Sequence, residues 1–267
     1  MNFVPITDPL FYLVAIPGVL VAGISKGGFG GGLGIVAVPA MALVIGPVQA
    51  AAIMLPILCV MDLFGLAAYR RKADWRNLMC LLPGALVGTA IGALTFHWFD
   101  ADAVRLTIGL VAVIFTLHHW SGTGTRRRPP GPDEGDTMPG PSHVRGGIWG
   151  TFAGFTSFVA HAGGPPVQFY MLPQRVDKTL YVGTTVWLFF IVNAVKLVPY
   201  STLGLFSVQN LGTSLALLPL APIGIWIGVR LHGLVGQALF YRIAYGLLFL
   251  TGLKLCWDGI DGLLRVT

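Results

Sequence analysis

Two short stretches place residues capable of chemistry inside otherwise membrane-grade apolar sequence. The first, GISKGGFGGGLG from Gly23 to Gly34, sets seven glycines around a single lysine, Lys26. Glycine costs a helix interior about 1 kcal/mol relative to alanine, so such a cluster marks a helix break or a place where backbone must approach something closely. The second, VAHAGGPP, puts His161 beside Gly163, Gly164 and the pair Pro165-Pro166. Asp62 and Asn193 are the other polar residues that stand out, each within a long apolar segment. An ionisable side chain in such a setting is a functional-site candidate by default, and a carboxylate there is costly unless paired.

These residues suggest anion chemistry. A break near mid-membrane turns helix N-termini, with their unpaired N–H groups and partial positive charge, toward the centre. Short helices starting near Leu33 and Pro165 would do this, and the prolines suit a first helical turn. Ser25, Lys26, Gly27, Gly28, Gly30, Gly31 and Gly32 from the first tip, with Ser157, His161, Gly163 and Gly164 from the second, are therefore the candidate substrate-binding residues. Asp62 and Asn193 would stand behind the site or serve coupling, Asp62 as counter-ion to Lys26 or as proton acceptor. Lys26 could instead snorkel to an interface or form a purely structural pair with Asp62. His161 could be a hydrogen-bonded structural residue, or carry a charge or a proton. Lys196, near a helix end, reads as a snorkelling lysine, and Arg105 and Arg242 as interfacial anchors.

The composition says what must position them. Of 267 residues, 55% are hydrophobic and 10% charged, with a mean hydropathy of +0.76. That is an all-α polytopic membrane protein, since the apolar runs lack the alternation of barrel strands. The formal charge of +6 comes from basic residues clustered in short loops, as in positive-inside topology, and gives no nucleic-acid surface. Cys59, Cys80 and Cys256 read as free apolar thiols. The start, MNFVPITDPL, lacks the basic region of a cleavable signal peptide.

In order, the chain gives an apolar segment from Pro9 to Ser25, the glycine tip, and a short piece from Ile35 to Ile45. Helices follow at about Gln49 to Tyr69, Leu78 to Phe96 and Ala103 to Trp120. Gly84, Gly88 and Gly92 form a small-residue packing face. The second half gives Gly146 to Ala160, a tip at His161 to Pro166, a short stretch to Leu172, then Leu180 to Tyr200, Leu211 to Leu231 and Leu239 to Trp257.

Shifting the sequence by 131 places Gly23 on Gly154, Lys26 on Ser157, Gly32 on Gly163 and Asp62 on Asn193. The chain thus reads as a duplication. The basic loop Arg70 to Arg76 corresponds to the uncharged loop Ser201 to Gln209, so the halves should be inverted, as in many secondary transporters. The expected architecture is a first repeat over 1–120, a cytoplasmic linker over 121–145 containing Arg126 to Arg128, and a second repeat over 146–267. Each repeat would hold a glycine-tipped hairpin plus three transmembrane helices, about eight to ten membrane segments in all, with both termini periplasmic.

Gly32, Gly34 and Ala37 fit a dinucleotide fingerprint, but no βαβ unit surrounds them. Ser25-Lys26 is reversed for a P-loop, there is no GxSxG, and no nucleophile and base pair stands out, so an enzyme is not expected. The adjacent His118 and His119 are poorly spaced for a shared metal, and neither a metal nor a cofactor is assigned.

The stretches GISKGGFGGGLGIVAVPAMAL, MLPILCVMDLFG with LLPGALVGTAIG, and GFTSFVAHAGGPPVQFYMLPQ with VGTTVWLFFIVN resemble the TauE/SafE family of membrane permeases, the sulfite exporters. The resemblance implies transport across a bacterial inner membrane, commonly export, of sulfite, sulfoacetate, other organosulfonates or related oxyanions. Partners would then be a small anion, the bilayer and a coupling proton or sodium ion. A passive channel, or a permease for a carboxylate or thiosulfate, is the alternative. Deleting the linker is expected to leave transport intact, which a flux assay on the deletion variant checks.

Overall fold

The computed structural model describes residues 5–31, 37–95, 101–121 and 139–266. Outside these fall Gly32, the expected helix start near Leu33, the uncharged loop after Leu94 in part, and most of the Arg-rich linker. Among the described residues all regular secondary structure is helical, without a strand.

In chain order the helices are α1 (Pro9–Phe29), α2 (Ala37–Ile45), α3 (Pro47–Ala68), α4 (Trp75–Leu94) and α5 (Ala101–Trp120). After the linker come α6 (His143–Ala160), α7 (Gly164–Met171), α8 (Lys178–Thr202), α9 (Val208–Leu217), α10 (Leu220–Leu234) and α11 (Gln237–Val266). Their starts follow from capping chemistry, in which a side-chain oxygen accepts an orphan N–H of the first turn. Asp8 accepts from Leu10, with Pro9 at the first helical position. Asp74 accepts from Arg76 and Asn77, Ser142 from Arg145, Asp177 from Thr179 and Leu180, and Ser207 from Asn210.

Among the described residues, five helices, α1, α3, α4, α8 and α11, are long and apolar enough to cross a membrane. The bent pair α9 and α10 makes a sixth if the two are one span. The eight to ten segments read from the sequence therefore include pieces, α2 and α7 above all, that are too short to cross alone. The single helix expected from Leu211 to Leu231 is two helices meeting at 41°. Pro219 stands at that junction, where its missing N–H and its ring cannot continue a straight ladder.

Packing joins the two halves. α1 lies on α10, α4 on α6, α3 on α8 and α5 on α11. Glycine decides the closest approaches. On α4, Gly84 and Gly88 rest on the backbone carbonyls of Gly147 and Thr151, and Gly92 on Phe158. Gly150 and Gly154 of α6 return the contact against Leu81 and Ala85. This is the small-residue packing face expected of Gly84, Gly88 and Gly92. The cysteines are free, Cys80 fully buried and Cys59 and Cys256 partly so.

Candidate functional site

The glycines of the first tip do not break α1 where the sequence suggests. α1 runs on through Gly23, Gly27 and Gly28 to Phe29 and closes at Gly30, left-handed at φ 73°. Lys26 therefore sits in the last helical turn. Helical geometry survives because α10 lies too close for side chains there. A Cβ on Gly23 would come within 2.9 Å of Gly224 Cα, on Gly27 within 2.7 Å of the Ile225 carbonyl oxygen, and on Gly28 within 2.7 Å of the Gly228 carbonyl oxygen. Packing against α10 outweighs the propensity cost of those glycines.

The second tip has the same local build. α6 ends at His161, also left-handed at φ 53°. At both tips a 6→1 bond closes the turn: Gly31 N–H donates to Ser25 O at 3.0 Å, and Ala162 N–H to Thr156 O at 3.0 Å. These are the positions the 131-residue shift superposes. A non-glycine residue in this conformation is strained by roughly 1–2 kcal/mol, which draws attention to His161 as a side chain held where the first tip has none.

Lys26 is 6% exposed and Asp62 fully buried. The Lys26 ammonium lies 2.7 Å from Asp62 Oδ1, and Asn193 Nδ2 donates to Asp62 Oδ2 at 2.7 Å. Asp62 belongs to α3 and Asn193 to α8, so the pair ties α1, α3 and α8 together. The carboxylate's cost of burial is thus met on both oxygens.

Beside this pair is a cavity of about 50 Å³. Lys26, Gly31, Ser157, His161, Gly163, Gly164 and Asn193 line it, with Ala22, Val38, Leu58 and Phe189 supplying apolar wall. α7 starts at Gly164, with Pro165 and Pro166 in its first turn. The prolines remove two of the donors a helix start normally offers, so the glycine amides must supply that end's contribution.

Of the remaining sequence candidates, Ser25, Gly27, Gly28 and Gly30 do not line this cavity. Gly27 and Gly28 face α10, while Gly30 abuts the Tyr181 ring. Their carbonyls are satisfied from outside: Tyr69 Oη–H donates to Gly27 O at 2.5 Å, and His232 Nδ1 lies 3.0 Å from Gly28 O. A carbonyl can only accept, so His232 carries its hydrogen on Nδ1. Its Nε2, 3.2 Å from Thr179 Oγ, then accepts from that hydroxyl.

Lys196 corrects the sequence reading. It is fully buried and does not snorkel; its Nζ donates to Ser157 O at 2.6 Å and lies 3.5 Å from His161 Nδ1. The ammonium caps the last turn of α6, where unpaired carbonyls and the negative end of the helix favour a cation. A signal for this was present in the sequence, because Lys196 follows Asn193 by three residues and so shares its helix face. Arg105 is corrected too: at 6% exposure it is buried within the protein and is no interfacial anchor, whereas Arg242 is exposed. The site region therefore holds two basic side chains, Lys26 and Lys196, against the one carboxylate of Asp62, with His161 between the tips.

The comparisons bear on this arrangement. No curated protein and no solved structure matches the chain. A family model, Sulfite exporter TauE/SafE, matches residues 15–255, nearly the whole length and both tips. With apolar helices of spanning length and a basic cavity lined by the two tips, the chain belongs to the TauE/SafE sulfite exporter family, and is a multi-pass membrane transporter for a sulfur-containing anion, not an enzyme.

Proposed function

We propose that the protein is a secondary transporter that holds sulfite, or an oxyanion of like size, in the cavity between the two tips and exports it by alternating access. The observation that carries this is the lining itself. Lys26, His161, Asn193 and the backbone of Gly31, Gly163 and Gly164 converge on one small buried space, and basic groups outnumber acidic ones around it. Donors held in place and shielded from water bind an anion more strongly than the same groups in solvent.

Size favours sulfite over an organosulfonate. A cavity of about 50 Å³ suits an anion of few atoms. In proteoliposomes, sulfite flux should saturate with concentration, and sulfoacetate should compete at least about tenfold more weakly. Flux that rises without saturating would make the protein a passive channel. Equal competition by sulfoacetate or acetate would remove the size argument.

An inverted repeat would account for the pairing of elements. The shift maps α1 onto α6 and, after small insertions that place Pro83 on Pro219 and Gly88 on Gly224, α4 onto α10; the observed contacts are α1 with α10 and α6 with α4, the exchange a two-fold relation requires. α3 and α8 would be each other's counterparts, and Asp62 meets Asn193 across them. Two ends of that pair differ. At one, an open cavity of about 420 Å³ lies between Gly46 to Gln49 and Gly204 to Asn210. At the other, Gly183 rests on the Lys72 carbonyl, Asp74 N–H donates to Thr184 Oγ at 2.8 Å, and the Lys178 ammonium donates to His232 O and Val235 O. The end with these contacts carries the basic loops and would be cytoplasmic in an inner membrane.

A further inference from the structure

We infer that Lys196 is a positioning residue that fixes the tautomer of His161, so that the histidine presents an N–H donor to the anion in the cavity. The inference rests on the anion-site reading above. Lys196 itself does not line the cavity; His161 does.

His161 is 9% exposed and lines the cavity, and its buried Nε2 has no hydrogen-bond partner among the described residues. Its other nitrogen, Nδ1, lies 3.5 Å from Lys196 Nζ. That ammonium already donates to Ser157 O at 2.6 Å and approaches Ser157 Oγ at 3.4 Å, and it stands 5.6 Å from the centre of the Tyr200 ring. An ammonium has three hydrogens to give and no lone pair, and a neutral imidazole has one donor and one acceptor nitrogen. Facing Lys196, Nδ1 must accept, so the hydrogen resides on Nε2. A buried N–H without a partner is costly, and an oxyanion in the cavity would supply the acceptor.

The backbone cooperates. The left-handed φ of 53° at His161 puts this side chain at a turn where the first tip uses Gly30. The Ser157 carbonyl of the same turn accepts from Lys196, so one ammonium both caps the helix and orients the histidine. The resulting donors, Lys26 from one tip and His161 from the other, come from opposite halves of the chain.

The test is NMR of the purified full-length protein carrying ¹⁵N-labelled histidine, with the His161 signal assigned by its loss in His161→Gly. Glycine suits the backbone there, so that variant should fold. Wild type and Lys196→Arg should show hydrogen on Nε2, and Lys196→Met a mixture or hydrogen on Nδ1. Sulfite binding, read by titration, should weaken about tenfold or more in Lys196→Met and in His161→Gly, as for loss of a hydrogen bond to a charged group. The double variant should be no weaker than His161→Gly alone. Hydrogen on Nδ1 in wild type would overturn the inference, as would fully additive losses. Absence of sulfite binding by wild type would instead overturn the anion reading, and the wild-type tautomer would still decide the role of Lys196.

Discussion

Lys26→Met is expected to abolish sulfite flux and to destabilise the protein by about 3–5 kcal/mol, the usual consequence of leaving one partner of a buried ion pair alone. Asp62 is fully buried and Lys26 lies 2.7 Å from its Oδ1. Removing the ammonium leaves only the Asn193 amide on the opposite oxygen. Adding Asp62→Asn to Lys26→Met should restore most of the lost stability, because a neutral pair costs little to bury. It should not restore flux, because the positive charge on the cavity wall is still missing. Thermal unfolding in detergent and flux in proteoliposomes separate the two roles. Transport by the double variant at wild-type rate would show that the pair is structural and that the anion does not need Lys26.

The second large effect is steric. Gly27→Ala should cost about 1–3 kcal/mol, since its Cβ would sit 2.7 Å from the Ile225 carbonyl oxygen and 3.0 Å from Ile225 Cα. Those are backbone atoms of a packed helix and cannot step aside as a flexible side chain would. Relief requires the last turn of α1 to lift from α10, carrying Lys26 away from Asp62 and loosening the Tyr69 bond to Gly27 O. Sulfite affinity should therefore fall together with stability. Gly233→Ala is the opposing control. Nothing lies within 4 Å of a Cβ there, so a gain of about 0.4–1 kcal/mol is expected from reduced freedom of the unfolded chain. Equal unfolding temperatures for the two variants would contradict the close α1 and α10 approach as the reason for the glycine.

Much of the site is legible in the sequence. The placement of Asp62 opposite Asn193 came from one alignment shift of the sequence on itself, and the two side chains meet directly. The pairing of Lys26 with Asp62 followed from the cost of a lone carboxylate in apolar surroundings, though its purpose stayed open between structure and coupling. His161 was marked by its neighbours Gly163 and Gly164, all of which border the cavity. Lys196 was misplaced because nearness to a helix end normally means an escape to the interface. What draws it inward is the last turn of α6, an element 39 residues away in sequence. Arg105 was misplaced likewise.

Residue order alone makes this chain a bundle of membrane helices with two glycine-bearing tips, each carrying one titratable group capable of anion chemistry. Hydropathy, capping and the tolerance of glycine for left-handed backbone are local properties, so residue order suffices to express them. Tertiary structure decided which glycines face a helix and which face the cavity. Gly27 and Gly28 serve α10 while Gly31 and Gly163 border the site, though all look alike in a string of letters. It also decided that a second lysine joins the site and that Lys26 ends a helix instead of sitting in a loop. Those outcomes depend on which surfaces lie within a few ångströms of each other, and that distance is set by the packing of helices far apart in the chain.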